Sequence, residues 1–432
     1  MAFDLKWKFQ ISDAASNIDI TSFVFDGAVD MEAQVGQMGR SSASITINNN
    51  GGQFTPNGTG TYAAINWFSK ALVIRASSVS TGQDVVAFVG LITDFEITNE
   101  SIRESRVVIQ ADDFLTIAGR STTQTPYASR TTASFVMINE SINGDALYWP
   151  GTSTPVMAGV SKSQIAMSSI TTTAPGFDTQ VWSNQLQPNA RIGDWINNQI
   201  IPSMPGTCFM ADYSIFGGAF YWAGRTLDHT LNRFSEIRIF ELVDKSSALT
   251  SGQIPYSEID INYQLDTLTN TCKTKDNISA WTGGSTNALS SATYGTRSRA
   301  YTTTANTNAT DVQDIASFWA QRYSDVRYIP QQIVTSYSVL RGSAVDDNVA
   351  LISFIDLLDA RYAIWNRINA RYKMTGMASA VTAQVIATQR KIMITPSDTR
   401  IVLNTVSGVD NQSFILDSYL RGYGVLDKDR IA

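Results

Sequence analysis

Apolar and polar residues alternate through the first quarter of the chain. Phe3, Leu5, Trp7, Phe9 and Ile11 occupy odd positions, with polar or charged residues between most of them. That is the period of a strand with one buried face. Ala43, Ile45 and Ile47 alternate with Ser44 and Thr46 in the same way. This strand follows a Gly39-Arg40 turn and runs into Asn48-Asn49-Asn50-Gly51-Gly52, residues that accept the positive φ angles of a tight turn. Phe54 gives the turn an apolar anchor, and Pro56 stops further ladder pairing. More strands are predicted at 72–75, 85–97 and 106–115. Gly90, in the middle of the second, predicts a bulge or a close backbone approach. The third carries Val107, Ile109 and Ala111 on one face and closes on Asp112 and Leu115.

The pattern then changes. Residues 121–185 are Ser/Thr-rich with weak periodicity, either an extended insertion or part of the next domain. Ile192, Trp195, Ile196 and Ile200 predict a helix over 191–201, ended by Pro202 and Pro205-Gly206. Residues 207–225 read as a hairpin around Gly217-Gly218. Strands are predicted at 236–243 and 259–273. Thr310 starts a helix, with Gln313 at capping-box spacing. Val312, Ile315, Ala316, Trp319 and Tyr323 form its buried face. Pro330 separates it from a strand at 333–340. A short helix at 349–358 and strands at 381–388 and 400–406, joined through 391–395, complete the pattern. No short-period repeat is present, which excludes a solenoid.

The chain has 432 residues, too many for one core, and two to four domains are expected. Hydrophobic residues make up 43% and charged residues 16%, against roughly 25% charged in an average domain. Ser, Thr, Asn and Gln fill the difference, as suits β structure with many turns. A net charge of −6 and a pI near 5.0 exclude a tight nucleic-acid binder, which needs clustered Lys and Arg. No apolar run reaches the length of a membrane span, and MAFDLKWKFQ lacks the apolar core of a signal peptide. Cys208 and Cys272 give no disulfide framework, so the chain reads as folded in a reducing cytosol.

Candidate chemistry is sparse. His229 is the only histidine, and a zinc site needs three or four ligands. Cys208 and His229 lie across the predicted hairpin with Asp228 adjacent, but without a local hydrolase signature they read as a strand cysteine and a loop histidine. Asp112-Asp113, Asp346-Asp347 and Asp427-Lys428-Asp429 are carboxylate clusters. Neighbours in a strand point to opposite faces, so Asp112-Asp113 reads as a structural turn rather than a glycosidase pair. Gly217-Gly218 and Gly283-Gly284 lack phosphate-loop spacing and read as turns. Arg297, Arg299, Arg322 and Arg327 lie among Tyr and Trp residues. Interleaved Asp311, Asp314 and Asp325 make a salt-bridged helix face the better reading. No catalytic, cofactor-binding or metal-binding residue is assigned.

The succession of pieces from Gly39 and Arg40 through Asn48, Gly52, Phe54 and Pro56 resembles the N-terminal signature of phage minor tail proteins. These are the tail-hub subunits of long-tailed phages, related in fold to the baseplate hub of contractile tails. Ile18 to Val24 (IDITSFV) resembles the segment that precedes this signature. The strand bearing Gly90, the strand ending in Asp112 and Leu115, and a helix followed by a small hairpin keep the same order. Asn270-Thr271-Cys272, Tyr294-Gly295-Thr296-Arg297 and the helix ending before Pro330 match the second half. Phe414, Leu416 and Asp417 resemble its close, with Tyr419 where a Ser would stand.

The resemblance implies a mainly β fold with a few helices, a β-rich α+β class, in several domains. These are a tube-like β-barrel or sandwich at 1–120, an insertion and helix-hairpin domain at 121–240, a second tube-like domain of similar architecture with a flanking helix at 241–345, and a small β-rich domain at 346–432. It also implies a structural virion protein without enzymatic activity, made in the host cytoplasm and placed at the tail tip. There a homotrimer would form a pseudo-sixfold ring that closes the tail tube, with roles in host attachment and genome ejection. The implied partners are the distal tail protein, the C-terminus of the tape measure, and a central spike or receptor-binding fibre. No cofactor, stable DNA binding or membrane span is implied, and a channel wall would be polar or acidic with its basic residues paired or turned outward. The alternative is a tail protein that binds or cleaves host-surface glycans, using some of its nine Trp and sixteen Tyr for sugar stacking.

Overall fold

A computed structural model describes residues 4–12, 17–32, 39–99, 105–113, 239–246, 250–262, 268–276, 280–303, 309–324, 329–342, 348–362 and 366–407, with short pieces at 116, 120, 130–132, 180–182, 191–195, 197–198, 207–211, 220–224 and 364. The first unit is built from β1 (Lys6–Ser12), β2 (Asn17–Asp19), β3 (Val24–Glu32), β4 (Arg40–Asn48), β5 (Ala71–Ser78), β6 (Gln83–Asn99) and β7 (Ser105–Asp112). Their order is β2-β1-β5-β6-β7-β4-β3, and every pair is antiparallel.

The alternation seen in the sequence is the cause of this sheet. Val29, Ala43 and Ala111 stand in one cross-strand row, and Ile45 faces Ile109 in the next; all are buried. Burying one such aliphatic side chain stabilises the fold by about 1.5–3 kcal/mol. Gly90 makes the close approach expected of it: a Cβ there would lie 2.5 Å from the Asp112 carbonyl oxygen. A register shift between Ile92 and Asp94 bends β6 just beyond it.

Between the units, β8 (Arg130–Thr132) pairs with β9 (Gln180–Trp182), and one helical turn, α1 (Ile192–Trp195), lies within the expected helix. The expected hairpin is present as β10 (Thr207–Ala211) and β11 (Phe220–Gly224); Gly217 and Gly218 are outside the described residues.

The second unit contains β12 (Ile239–Asp244), β13 (Ile254–Tyr256) and β14 (Glu258–Asn262). A small insert follows, made of β15 (Thr271–Asp276), β16 (Thr282–Thr286), α2 (Ala288–Tyr294), β17 (Ser298–Thr303) and α3 (Ala309–Arg322). The unit resumes with β18 (Ile329–Ser336), α4 (Tyr337–Gly342), α5 (Asn348–Leu358), β19 (Arg367–Tyr372), β20 (Val381–Ile394) and β21 (Thr399–Ser407). Its strand order is β13-β12-β19-β20-β21-β18-β14. The two ends of this order, β13 and β14, are separated in the chain by Ser257 alone but are not paired with each other, so the expected barrel is not closed. Their ends are joined by the chain, held by Ser257 N donating to Val334 O (2.8 Å) and Thr335 Oγ1 donating to Pro255 O (2.7 Å).

Numbered by chain order within each unit, the strands of both sheets run 2-1-5-6-7-4-3. The two units, within 4–113 and 239–407, therefore share one strand order. They differ in direction at one end, where β12 runs parallel to its neighbours and β1 antiparallel.

The second unit does not end near residue 345. It needs β19, β20 and β21, which lie between β12 and β18 in the sheet. Nor are the units separate sheets. The first half of β20 pairs with β19, and its second half pairs with β3 along the same edge, making one 14-stranded sheet over one apolar core.

Several local expectations are corrected. Pro330 lies inside β18, opposite Ile261, tolerated because the register shifts at that point. Leu340 is helical rather than in a strand. Residues 391–394 belong to β20 rather than to a turn. The predicted strand 259–273 is split between β14 and β15, which belong to different sheets. Gly283 and Gly284 lie in β16, not in a turn, because α3 packs onto it: a Cβ on Gly283 would meet the Val312 carbonyl at 2.6 Å. Gln313 does not close a capping box; its amide bonds both backbone groups of Gly284. Trp319 packs on its own sheet, as the helical periodicity predicts, in a small core with Cys272, Ile315 and Phe318.

Arg390 joins the units. It is fully buried on β20 and donates to Leu357 O (3.0 Å) and Leu358 O (2.5 Å) at the end of α5, and to Ala87 O (3.1 Å) on β6. Truncating it leaves buried carbonyls without donors. Arg390→Met is expected to lower unfolding free energy by about 3–5 kcal/mol. A urea titration showing a loss within experimental error would refute this assignment.

Candidate functional site

The residues singled out by the sequence fall into two structural pins and one open sheet face. The first pin follows β4. Asn48 Oδ1 accepts the Asn50 amide at 2.8 Å, and Gly51 and Gly52 take φ angles of 78° and 65°. These are left-handed conformations that favour glycine. The organising residue is Asn49, which the sequence reading passed over as one of three turn asparagines. Its buried side chain accepts the Phe54 amide (2.8 Å) and donates to Thr55 Oγ1 and Ser105 Oγ, each at 3.0 Å. Phe54 is thereby delivered into the core, stacked on Tyr62 at 4.9 Å and edge-on to Phe23 at 5.0 Å, with Trp67 and Phe95 stacked beyond. Pro56 is exposed at the loop surface, and Gly39 is buried at the start of β4. Arg40 pairs across the β3–β4 ladder with Glu32.

The second pin sits in the insert. Asn270, fully buried, donates to Ser290 Oγ (3.2 Å) and Gly295 O (2.8 Å) and accepts the Arg297 amide (2.8 Å). Tyr294 and Gly295 end α2 there, with Gly295 at φ 74°. Arg299 does not join a salt-bridged face. Its guanidinium lies 3.8 Å over the Trp319 ring, a cation–π contact. Burial pushes the Cys272 thiol up to about 11, with Arg299 pulling the other way, so the thiol is inert at neutral pH.

The open face belongs to the joint sheet. Gln389 donates to Asp30 (2.9 Å), Asn404 donates to Gln389 (2.6 Å), and Gln332 donates to Asn404 (3.1 Å). This polar ladder crosses β3, β20, β21 and β18. Ser44 and Thr46 extend the same side on β4, and Lys391 stands opposite Asp30. Arg400 pairs with Glu258.

Asp112 and Asp113 point to different places, as their adjacency requires. Asp112 pairs with Arg120. Asp113 is buried; its Oδ1 accepts the Thr116 amide and its Oδ2 has no donor. Burial pushes its carboxyl up to about 7, the Thr116 hydrogen bonds oppose the shift, and the Asp112 charge adds to it.

Cys208 pairs with Ala223 through the β10–β11 ladder. Leu115, His229, Asp346, Asp347, Phe414, Leu416 and Asp417 lie outside the described residues. Among the described residues no group of three His, Cys, Asp or Glu side chains is placed to hold a metal, and no helix is long and apolar enough to cross a membrane.

Two measurements test these assignments. Asn49→Ala is expected to cost about 3–5 kcal/mol, two hydrogen bonds at roughly 1 kcal/mol each plus about 1–3 kcal/mol for the stranded Phe54 amide. An unchanged denaturation midpoint would remove Asn49 from its organising place. For Asp113, the folded value near 7 lies above the unfolded 3.8. The folded state therefore binds more protons between these values, and the full stability present below pH 3.8 is lost as pH rises through 7. The slope from this group approaches about 1.4 kcal/mol per pH unit. Asp113→Asn should flatten stability against pH across that window, and an unaltered slope would show the carboxyl to be solvated.

No family model matches the chain, and no curated protein matches it in sequence. Solved structures do. The 43 kDa tail protein of prophage MuSo2 from Shewanella oneidensis aligns with a TM-score of 0.53 at 8% identity, over 93% of this chain and 99% of that one. The tail protein from Neisseria meningitidis MC58 aligns with a TM-score of 0.49 at 10% identity, over 92% of this chain and 96% of that one.

Proposed function

We propose that this chain, which has the fold of the MuSo2 prophage tail protein, is a structural subunit of a phage-type tail and acts at the tail-tip hub. The observation that carries the reading is the duplicated strand order, on a fold shared with that tail protein along nearly the whole of both chains. Two like units per chain give a homotrimer six like units. Such a ring meets a sixfold tube on one side and a threefold spike or fibre on the other. We take the two tube-like units as residues 4–113 and 239–407, with the stretch between them as an insertion.

The open face of the joint sheet suits a channel wall. Its cross-strand ladder is made of amides and one carboxylate, Arg40 and Arg400 are paired, and Lys391 faces Asp30. A wall without clustered cations does not hold phosphates, so duplex DNA would pass without stable binding. The hub's partners on this reading are the distal tail protein, the tape-measure C-terminus and the spike or fibre, and its role is assembly rather than catalysis. The glycan-binding alternative gains no support from the clustered aromatics Phe54, Trp67 and Trp319, which are buried in cores.

The test is sedimentation of the purified protein together with immunogold labelling of tails. A trimer and label at the tip are expected. A protein that stays monomeric at every concentration, or label along the tail shaft, would overturn the hub reading.

A further inference from the structure

The duplicated strand order makes one junction within the chain and leaves its counterpart unmade. Within the chain, strand 3 of the first unit (β3) pairs with the second half of strand 6 of the second unit (β20). The corresponding strands of the other pairing are β14, strand 3 of the second unit, and the second half of β6, strand 6 of the first. Among the described residues both edges are open: β14 pairs with β18 alone, and residues 93–99 of β6 pair with β7 alone, because β5 covers only 83–91.

The match extends to individual residues. β6 carries a register shift between Ile92 and Asp94 against β7, and β20 carries one between Ala387 and Gln389 against β21. Aligning the shifts sets Asp94 against Gln389, Ile97 against Ile392 and Thr98 against Met393. On the other side, Gly27 pairs with Ile45 and Ile259 with Ile333 at the same point of their sheets, which sets Ala28 against Asp260. Within the chain, Ala28 faces Met393 and Val29 faces Ile392. Transferred to the open edges, Asp260 faces Thr98 and Ile261 faces Ile97. Ile97, Ile259 and Ile261 are only half-buried against the core in the single chain, so a strand laid alongside would finish covering them.

We propose that β14 of one copy pairs antiparallel with residues 95–99 of β6 in the next copy, with Asp260 opposite Thr98 and Ile261 opposite Ile97. The occupant is a second copy of this chain, because the partner of each open edge is the other open edge of the same chain. Such a contact is head-to-tail and closes into a ring or runs on as a filament. In a ring it alternates with the β3–β20 junction, so that every unit is joined to the next in the same way and neither β14 nor the end of β6 is left without a second partner. This inference rests on the homo-oligomeric hub reading.

The test is a disulfide at the predicted pair. Directly opposed residues in an antiparallel pair bring Cβ atoms close enough to be bridged. Thr98→Cys with Asp260→Cys, mildly oxidised, is expected to give cross-linked trimers on a non-reducing gel. Each single variant should give none, and neither should Ile97→Cys with Asp260→Cys, whose side chains leave opposite faces. Sedimentation of the unmutated protein separates the two ways of failing. A monomer there would overturn the hub reading and the junction together. A trimer whose Thr98→Cys and Asp260→Cys thiols react with maleimide yet form no bridge would overturn the junction alone.

Discussion

One buried guanidinium holds the two halves of this molecule in register. β20 is shared between units, with β19 on the first part of one edge and β3 on the rest. A strand that changes neighbours midway leaves a gap behind the change, and α5 fills it with Phe354, Ile355, Leu357 and Leu358. The helix then ends inside the protein, where its last carbonyls have no partners of their own. Arg390 supplies donors to two of them and to Ala87 on β6, and the Ala360 amide donates to Val86 O beside it. The positive charge lies at the negative end of the helix. A buried charge is costly unless it is hydrogen-bonded in this way, so strand, helix and first sheet are constrained together.

The two units reach the same strand order with different fillings. The connection between strands 4 and 5 plugs the core in each. In the first unit it is the loop carrying Phe54 and Trp67, delivered by the Asn49 pin. In the second it is α4 and α5, where the Phe354 ring lies near Tyr337 at 6.2 Å. The connection between strands 3 and 4 is short in the first unit and holds the whole β15–β17 insert in the second. The insert keeps its own core under α3 and can therefore be carried without disturbing the sheet that accepts it. The N-terminal strand ties the units a second time, with Trp7 Nε1 donating to Thr399 Oγ1 at 2.8 Å and the Leu5 amide to the Tyr337 hydroxyl at 3.1 Å.

A sheet built in this way separates its two faces by chemistry. The inner face is aliphatic and aromatic, and carries the stability. The outer face carries a ladder of amides and hydroxyls with paired charges, which costs little to expose. Function on this reading lies in where edges and faces are placed, not in a reactive side chain.

The sequence by itself determined the elements whose cause is local. Period-two alternation placed β1, β4 and β7, helical spacing placed the buried face of α3, and the Asn-Gly cluster placed the turn before Phe54. It did not reveal which asparagine organises that turn, because all three suit a turn and only burial against Ser105 singles out Asn49. It ended β20 at residue 388 and placed the connection at 391–395, whereas the strand runs on to Ile394 with Arg390 turned inward to the end of α5. It took Gly283-Gly284 for a turn, since nothing local shows that a helix will pack onto them. The matching strand order of the two units was closed to sequence reading altogether. Pairing depends on backbone hydrogen bonds between distant segments, which any alternating pattern can make, and only the packed core decides which of them meet.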